Sequence, residues 1–478
     1  MNHPLRRLAL GCLFPGFEGL EPPEWIRRRL AEGLGGVVLY ARNVENREQL
    51  AGLTASIRAE REDVLVAVDE EGGDVTRLEA AEGSSYPGNA ALGAVDDVEL
   101  TEEVAVALGA DLRAAGVNID LAPVADVNSN PLNPIIGVRS FGSDPDLVSR
   151  HVAAFVLGLQ SVGVAACAKH FPGHGDTAVD SHLELPTVTA DRATLLEREL
   201  PPFRAAVEAG AKSLMTAHIR MPTLDDMPAT LSSLFLTELL RGELRFEGMV
   251  MTDALEMRAI SATVGVEEGA VRAIAAGADA LCLGHDLGED AVDALTRAVV
   301  DAVAAGRLRE ERVADAAQRV REVALWAAAP RSPARPNAAR REEAARRAVL
   351  RSGQARLTRR PVVIELATTP SIAVGDRPGP GEALCRLLPE PELIRLDEGD
   401  GPDSFEPQPG RQLVVVARDA HRHDWQRRAI ESLLRAAPDT VVVEVGLPQW
   451  RPNGDAAFVA TYGAARVNLE AAAEAIRG

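Results

Sequence analysis

Eight short apolar runs, each cut off by a break rich in Gly, Asp, Asn or His and then followed by a helical pattern, constrain this chain more than any other feature. The runs are Leu8–Phe14, Gly36–Ala41, Val64–Asp69, Asn118–Pro123, Val164–His170, Ser213–His218, Met249–Asp253 and Ala278–Gly284. They are apolar nearly throughout, as parallel strands covered on both faces must be. The segments between them, such as Pro145–Gly163 and Arg192–Glu208, carry apolar residues three and four apart, the spacing of amphipathic helices. Eight such units predict an α/β fold of the (β/α)8 TIM-barrel type.

At 478 residues the chain is longer than one barrel requires. After Ala328 it becomes APRSPARPNAARREEAARR, a Pro/Arg/Ala stretch that reads as a linker and a basic helix. Beyond it Val362–Leu366, Leu393–Leu396, Leu413–Ala417 and Val441–Val445 read as strands and Trp425–Ala437 as a helix. The expected organisation is a catalytic barrel over 1–330, a linker and connecting helix over 331–360, and a small α/β sandwich domain over 361–478 with a packing or dimerisation role. Gly375–Gly381 (GDRPGPG) reads as a turn rather than a phosphate-binding loop, and no cofactor is expected.

Composition excludes several classes of partner. A net charge of −20 argues against a nucleic-acid surface, which needs basic patches. No apolar run approaches the ~20 residues of a membrane span. The one signal-like stretch, Leu5–Phe14, has a short apolar part and is better explained as a first barrel strand. Cys12, Cys167, Cys282 and Cys385 are isolated and have no metal-ligand spacing, so a reduced, cytoplasmic setting is expected. Lys169 and Lys212 are the only lysines among 51 basic residues, which draws attention to positions that arginine has not taken over.

Chemistry in such a barrel sits where strands end. Here they end at Asn43, Asp69-Glu70-Glu71, Asp126, Lys169-His170, His218, Asp253 and His285-Asp286. Turn preferences alone explain Asn43 and Asp126. They do not explain Lys169-His170, His218 and Asp253 closing apolar runs on one rim. Asp253 stands before a helix and reads either as an N-cap or as a nucleophile beside an anomeric carbon. The fifth run feeds KHFPGHGDTAVDSHLELP, where Pro172, Gly173 and Gly175 forbid a regular helix. Asp180 and His182 can meet only if that loop bends; the carboxylate then fixes the imidazole for acid/base work. A plain polar turn and a metal site compete with this reading. The His170/His174 pair spans Pro-Gly and no HExxH or CxxC spacing occurs, so no metal is expected.

VDEEGGDVTRL (Val68–Leu78), GVRSFG (Gly137–Gly142), KHFPGHGDTAVDSH (Lys169–His182), MTAHI (Met215–Ile219) and MTDALEM (Met251–Met257) together resemble glycoside hydrolase family 3, of the bacterial β-N-acetylhexosaminidase type. The resemblance covers approximately residues 5–330. It implies that Asp253 is the nucleophile and that His182 is the acid/base, paired with Asp180. It implies that Asp69, Arg77, Arg139, Lys169 and His170 bind the sugar, with His218 on the same rim or bonded to backbone. The family's usual motif has Gln at Glu70 and Arg at Asp74. Glu70 is expected to point behind the strand end, and Asp74 to alter what the leaving-group side tolerates.

The implied reaction is a retaining double displacement on a saccharide ending in N-acetylglucosamine, such as a peptidoglycan fragment, by a monomer or homodimer. A histidine acid/base leaves room for phosphate as acceptor, so a phosphorylase is one alternative. A β-glucosidase of the same family and a non-catalytic sugar-binding barrel are the others.

Overall fold

The computed structural model describes residues 3–181, 183–284, 287–331, 337–369, 372–375, 378–400, 405 and 407–477. Two compact units divide the chain. The first takes Met1–Glu71, Thr101–Ile136 and Ser143–Asn337, and the second takes Gly72–Leu100, Gly137–Gly142 and Ala338–Gly478.

The first unit is built on eight strands: β1 (Leu13–Phe14), β2 (Gly36–Leu39), β3 (Leu65–Val68), β4 (Ile119–Asp120), β5 (Ala165–Phe171), β6 (Ser213–Thr216), β7 (Met249–Thr252) and β8 (Leu281–Cys282). Parallel ladders run without a break from β2 to β7, and β8 pairs in parallel with β1. Backbone bonds outside those ladders close the ring. Thr252 N donates to Ala280 O at 2.9 Å, and Val38 N donates to Pro15 O at 3.1 Å. This is the expected TIM-type barrel.

Successive side chains of a strand point to opposite faces, so each strand sends alternate residues into the barrel. Leu65 and Ala67, Ala165 and Cys167, and Met249 and Met251 fill its interior as pairs two apart, all buried. The next inward positions of those three strands are Asp69, Lys169 and Asp253. The register that packs the core therefore also carries these three residues to the C-terminal rim. Deleting most of one interior side chain, as in Met251→Ala, costs about 2–5 kcal/mol.

Two expectations are corrected here. Leu8–Phe14 is not one strand: His3–Leu10 is a helix and only Leu13–Phe14 joins the barrel. Leu5 and Ala9, four apart, are buried while Arg7 is exposed, so the run is apolar on one helical face. Arg192–Glu208 is likewise not one regular helix but holds a π-helical turn over Leu195–Glu199. Pro201 and Pro202 have no N–H to give to the ordinary ladder, and the wider turn accommodates them.

The second unit centres on a six-stranded sheet of β9 (Leu350–Ser352), β10 (Pro361–Leu366), β11 (Glu392–Leu396), β12 (Gln412–Ala417), β13 (Val441–Glu444) and β14 (Ala457–Ala460), in the order β9-β14-β13-β12-β10-β11. Only β9 runs antiparallel to its neighbour. Helix Arg466–Arg477 covers one face through Leu469, Ala472 and Ile476. Helix Asp424–Ala436 covers the other through Trp425, Ile430 and Leu433. This is the expected α/β sandwich. Segment Gly72–Leu100 belongs to the same unit: its helix Asn89–Val95 packs on helix Ala339–Ala348.

Candidate active site

Lys169 is the hub of the barrel rim. Its Nζ lies 2.6 Å from Asp69 Oδ1 and 2.7 Å from Glu71 Oε1, and its side chain is 2% exposed against 21% for Asp69. One cation thus binds two carboxylates, of which only Asp69 is open enough to meet a ligand. Below them Asp120 accepts the Glu70 N–H at 3.0 Å. Burial pushes the Asp120 carboxyl well above the usual carboxylate range, against that bond.

Asp126 organises the loop that follows β5. It accepts the backbone N–H of His170 at 3.1 Å and of His174 at 2.7 Å, and it meets His170 Nδ1 at 2.7 Å. Burial raises its pKa, but His170, through charge and hydrogen bond, overcomes this and holds Asp126 below its ordinary value. His174 is buried, and burial together with the neighbouring His170 pushes it down to about 4. Its Nδ1 lies 2.8 Å from Thr177 Oγ1 and its Nε2 lies 3.1 Å from Ser181 Oγ. Asn133 Nδ2 caps the carbonyls of His174 and Gly175 at 2.9 and 3.0 Å. Arg258 Nε donates to Leu183 O at 3.2 Å, tying the far end of the loop to the helix Arg258–Ser261.

Glu199 stands behind Gly173. A Cβ there would come within 2.6 Å of Glu199 Oε2, and Gly173 has φ +130°, so no side chain fits. Burial pushes Glu199 up to about 7, against Arg198, whose Nε donates to Glu199 Oε1 at 2.6 Å. Arg198 Nη2 also holds Asp176 at 2.6 Å.

Asp253 is half-buried and accepts the Ala254 N–H at 2.8 Å. The helix after it begins only at Arg258, with Met257 at the capping position, so Asp253 is not an N-cap. Burial raises the Cys282 thiol well above its ordinary value, and the charges of Glu256, Asp253 and Asp69 add to this. Glu256 in turn accepts the Gly284 N–H at 2.7 Å. His218 is buried; its Nδ1 meets Thr230 Oγ1 at 2.8 Å and its Nε2 meets Ala254 O at 3.0 Å, so it braces the residue after Asp253.

The structure therefore brings together Asp69 with Lys169, and His170 with Asp126, in the first unit. Asp180 is half-buried on the same loop as Ser181. His182, His285 and Asp286 lie outside the described residues. Arg77 and Arg139 are residues of the second unit. Arg77 Nη2 donates to Ala373 O at 2.9 Å, and the Arg139 carbonyl accepts from Asn89 Nδ2 at 2.7 Å. Asp74 corrects an expectation: its carboxylate pairs with Arg418 and accepts the Ala464 N–H at 2.7 Å, so it is spent inside the second unit rather than on a leaving group. Glu70 is buried, in keeping with a side chain behind the strand end. Glu71 and Asp126 are the residues the sequence reading missed. Glu71 stands two after Asp69, and that spacing was the available signal.

A (β/α)8 barrel whose rim holds a lysine between carboxylates, with a half-buried aspartate two strands on, is an arrangement that a glycoside hydrolase can use. Residues 22–323 match the glycosyl hydrolase family 3 N terminal domain, and the chain belongs to that family of glycoside hydrolases. It is 38% identical over 299 residues to the beta-hexosaminidase of Bordetella avium (strain 197N), covering 60% of this chain and 85% of that protein. It is also 38% identical over 281 residues to beta-hexosaminidase A of Pseudoalteromonas piscicida; the match covers 54% of this chain and spans only 47% of that relative. Among solved structures it is similar to a glycoside hydrolase family 3 beta-N-acetylglucosaminidase from Paenibacillus sp. str. FPU-7, with a TM-score of 0.85 and 34% identity over 98% of this chain and 95% of that one. No helix among the described residues is long and apolar enough to cross a membrane.

Proposed function

We propose that this chain is an exo-acting, retaining β-N-acetylglucosaminidase that removes terminal β-linked N-acetylglucosamine, with peptidoglycan fragments as a natural source. The observation that carries the reading is the rim itself. Asp69, Lys169 and Asp253 continue the inward registers of three strands, with Lys169 Nζ 2.6 Å from Asp69. Asp69 accepts from sugar hydroxyls, and Lys169 and His170 donate to them. The names of the relatives given above support the N-acetylhexosamine specificity.

In the first step Asp253 forms a bond to C1 as the bond from C1 to the leaving oxygen breaks, and protonated His182 gives that oxygen its proton. In the second step His182, steadied by Asp180, takes a proton from water, which attacks C1 and releases Asp253. The proposed setting is cytoplasmic; the four cysteines are free thiols, as a reducing compartment keeps them.

The test compares 4-nitrophenyl N-acetyl-β-glucosaminide with the β-glucoside, each with and without phosphate. The N-acetylated substrate should be preferred by roughly 100-fold or more. Preference for the glucoside would overturn the specificity, and sugar 1-phosphate as product would replace hydrolysis by phosphorolysis.

A further inference from the structure

We propose that His174 is a positioning residue that latches the acid/base loop through the Ser181 hydroxyl; the inference rests on the Asp180/His182 reading above. Ser181 follows Asp180 and precedes His182 in the chain, and whatever holds its side chain limits the freedom of Asp180. His174 and Ser181 are 1% and 2% exposed, and their contact at 3.1 Å is shielded from water.

The partners of His174 fix its protonation pattern. The Thr177 hydroxyl donates to the His174 carbonyl at 3.1 Å, which leaves its lone pairs facing Nδ1 at 2.8 Å. Nδ1 therefore carries the proton, and Nε2 is the acceptor that the Ser181 hydroxyl fills. A ring pushed down to about 4 stays neutral at working pH, so that acceptor is present throughout. The ring is itself anchored from behind, because Asp126 holds the His174 backbone N–H at 2.7 Å and Asn133 holds its carbonyl at 2.9 Å. The chain of contacts thus runs from a strand-end carboxylate, through an imidazole that does no proton transfer, to the residue between the two proposed catalytic groups.

General-acid assistance matters most when the leaving group is poor. That separates a latch from a merely structural histidine. The experiment measures kcat/KM for aryl N-acetyl-β-glucosaminides from 2,4-dinitrophenyl, which leaves without a proton, to phenyl, which needs one. His174→Phe and Ser181→Ala should lower kcat/KM for the phenyl glycoside by about 10–100-fold, a part of the 10²–10⁴ that full acid/base removal costs. Both should leave the dinitrophenyl glycoside within about threefold. His174→Gln, whose amide oxygen can accept from Ser181, should recover part of the loss. Should His174→Phe fail to fold, Ser181→Ala removes one oxygen only and carries the same test.

Asp180→Asn and His182→Ala are run alongside. If they show the leaving-group dependence and the His174 and Ser181 variants do not, the latch is wrong and the dyad stands. Equal losses on both substrates in the latch variants also overturn it. If the dyad variants themselves show no such dependence, the acid/base reading fails and takes the latch with it.

Discussion

The two ends of the barrel each bury a cluster of charges, and they solve opposite problems. At the N-terminal end Asp279, fully buried before β8, is met by Arg241, Arg312 and Arg319, and one of its oxygens also accepts the Val250 N–H at 2.9 Å. At the C-terminal end one lysine faces two carboxylates, and the more open of them, Asp69, is 21% exposed. A carboxylate surrounded by cations is closed chemically and serves stability. A lysine shared between carboxylates, one of them 21% exposed, is the arrangement to which the proposed function assigns the sugar. The same fold and the same buried setting thus carry a rivet at one end and the proposed site at the other.

The comparison can be broken at four points. Asp253→Ala should show the largest effect, a loss of roughly 10⁴-fold or more in kcat with little change in melting temperature, checked by steady-state kinetics and thermal unfolding. Asp279→Ala should do the reverse. It strands three arginines and should cost about 3–5 kcal/mol of stability in urea titrations, with kcat of the folded fraction unchanged. Lys169→Met should lower kcat/KM by about 10–100-fold, the value of hydrogen bonds to a charged group. If it destabilises as much as Asp279→Ala, the rim cluster is structural and the contrast fails.

The smallest net effect concerns pH, because two buried groups, one in the loop and one behind it, oppose each other. His174 falls from an ordinary 6.5 to about 4, so the unfolded chain binds a proton that the folded one refuses, and stability is lost as pH falls from 6.5 toward 4. Glu199 rises from 4.5 to about 7, so the folded chain holds a proton that the unfolded one releases, and stability is lost as pH rises from 4.5 toward 7. Between 4.5 and 6.5 the two slopes offset. His174→Gln should leave a protein whose urea midpoint improves on acidification across that window, and Glu199→Gln one whose midpoint worsens more steeply than the parent's. Parallel curves for all three proteins would remove either group from the account.

Much of this was legible in the chain. Barrel strands are buried on both faces and therefore spell themselves out as apolar runs, and Asp69, Lys169 and Asp253 extend their period-two register by one step. What stayed hidden had physical reasons. Leu5–Phe14 is apolar enough for a strand, and only the burial of Leu5 and Ala9 against exposed Arg7 reveals the helix. Asp126 sits where turns favour aspartate anyway, so its grip on His170 and His174 carried no separate signal. Strand Ala457–Ala460 and helix Arg466–Arg477 are small and alanine-rich, with too little contrast between faces to declare a period. Asp74 was read from its neighbours in sequence, whereas its partner Arg418 is 344 residues away. Nothing local could assign Gly72–Leu100 to the second unit.

The central claim, that Asp253 forms the bond to the sugar, is open to one direct measurement. A slow fluorinated N-acetylglucosaminyl substrate should trap the glycosyl-enzyme, and peptide mass spectrometry should find a single sugar on the peptide carrying Asp253, released on longer incubation. A sugar on Asp69, Glu71 or Asp180, or turnover with no adduct on any peptide, would contradict it.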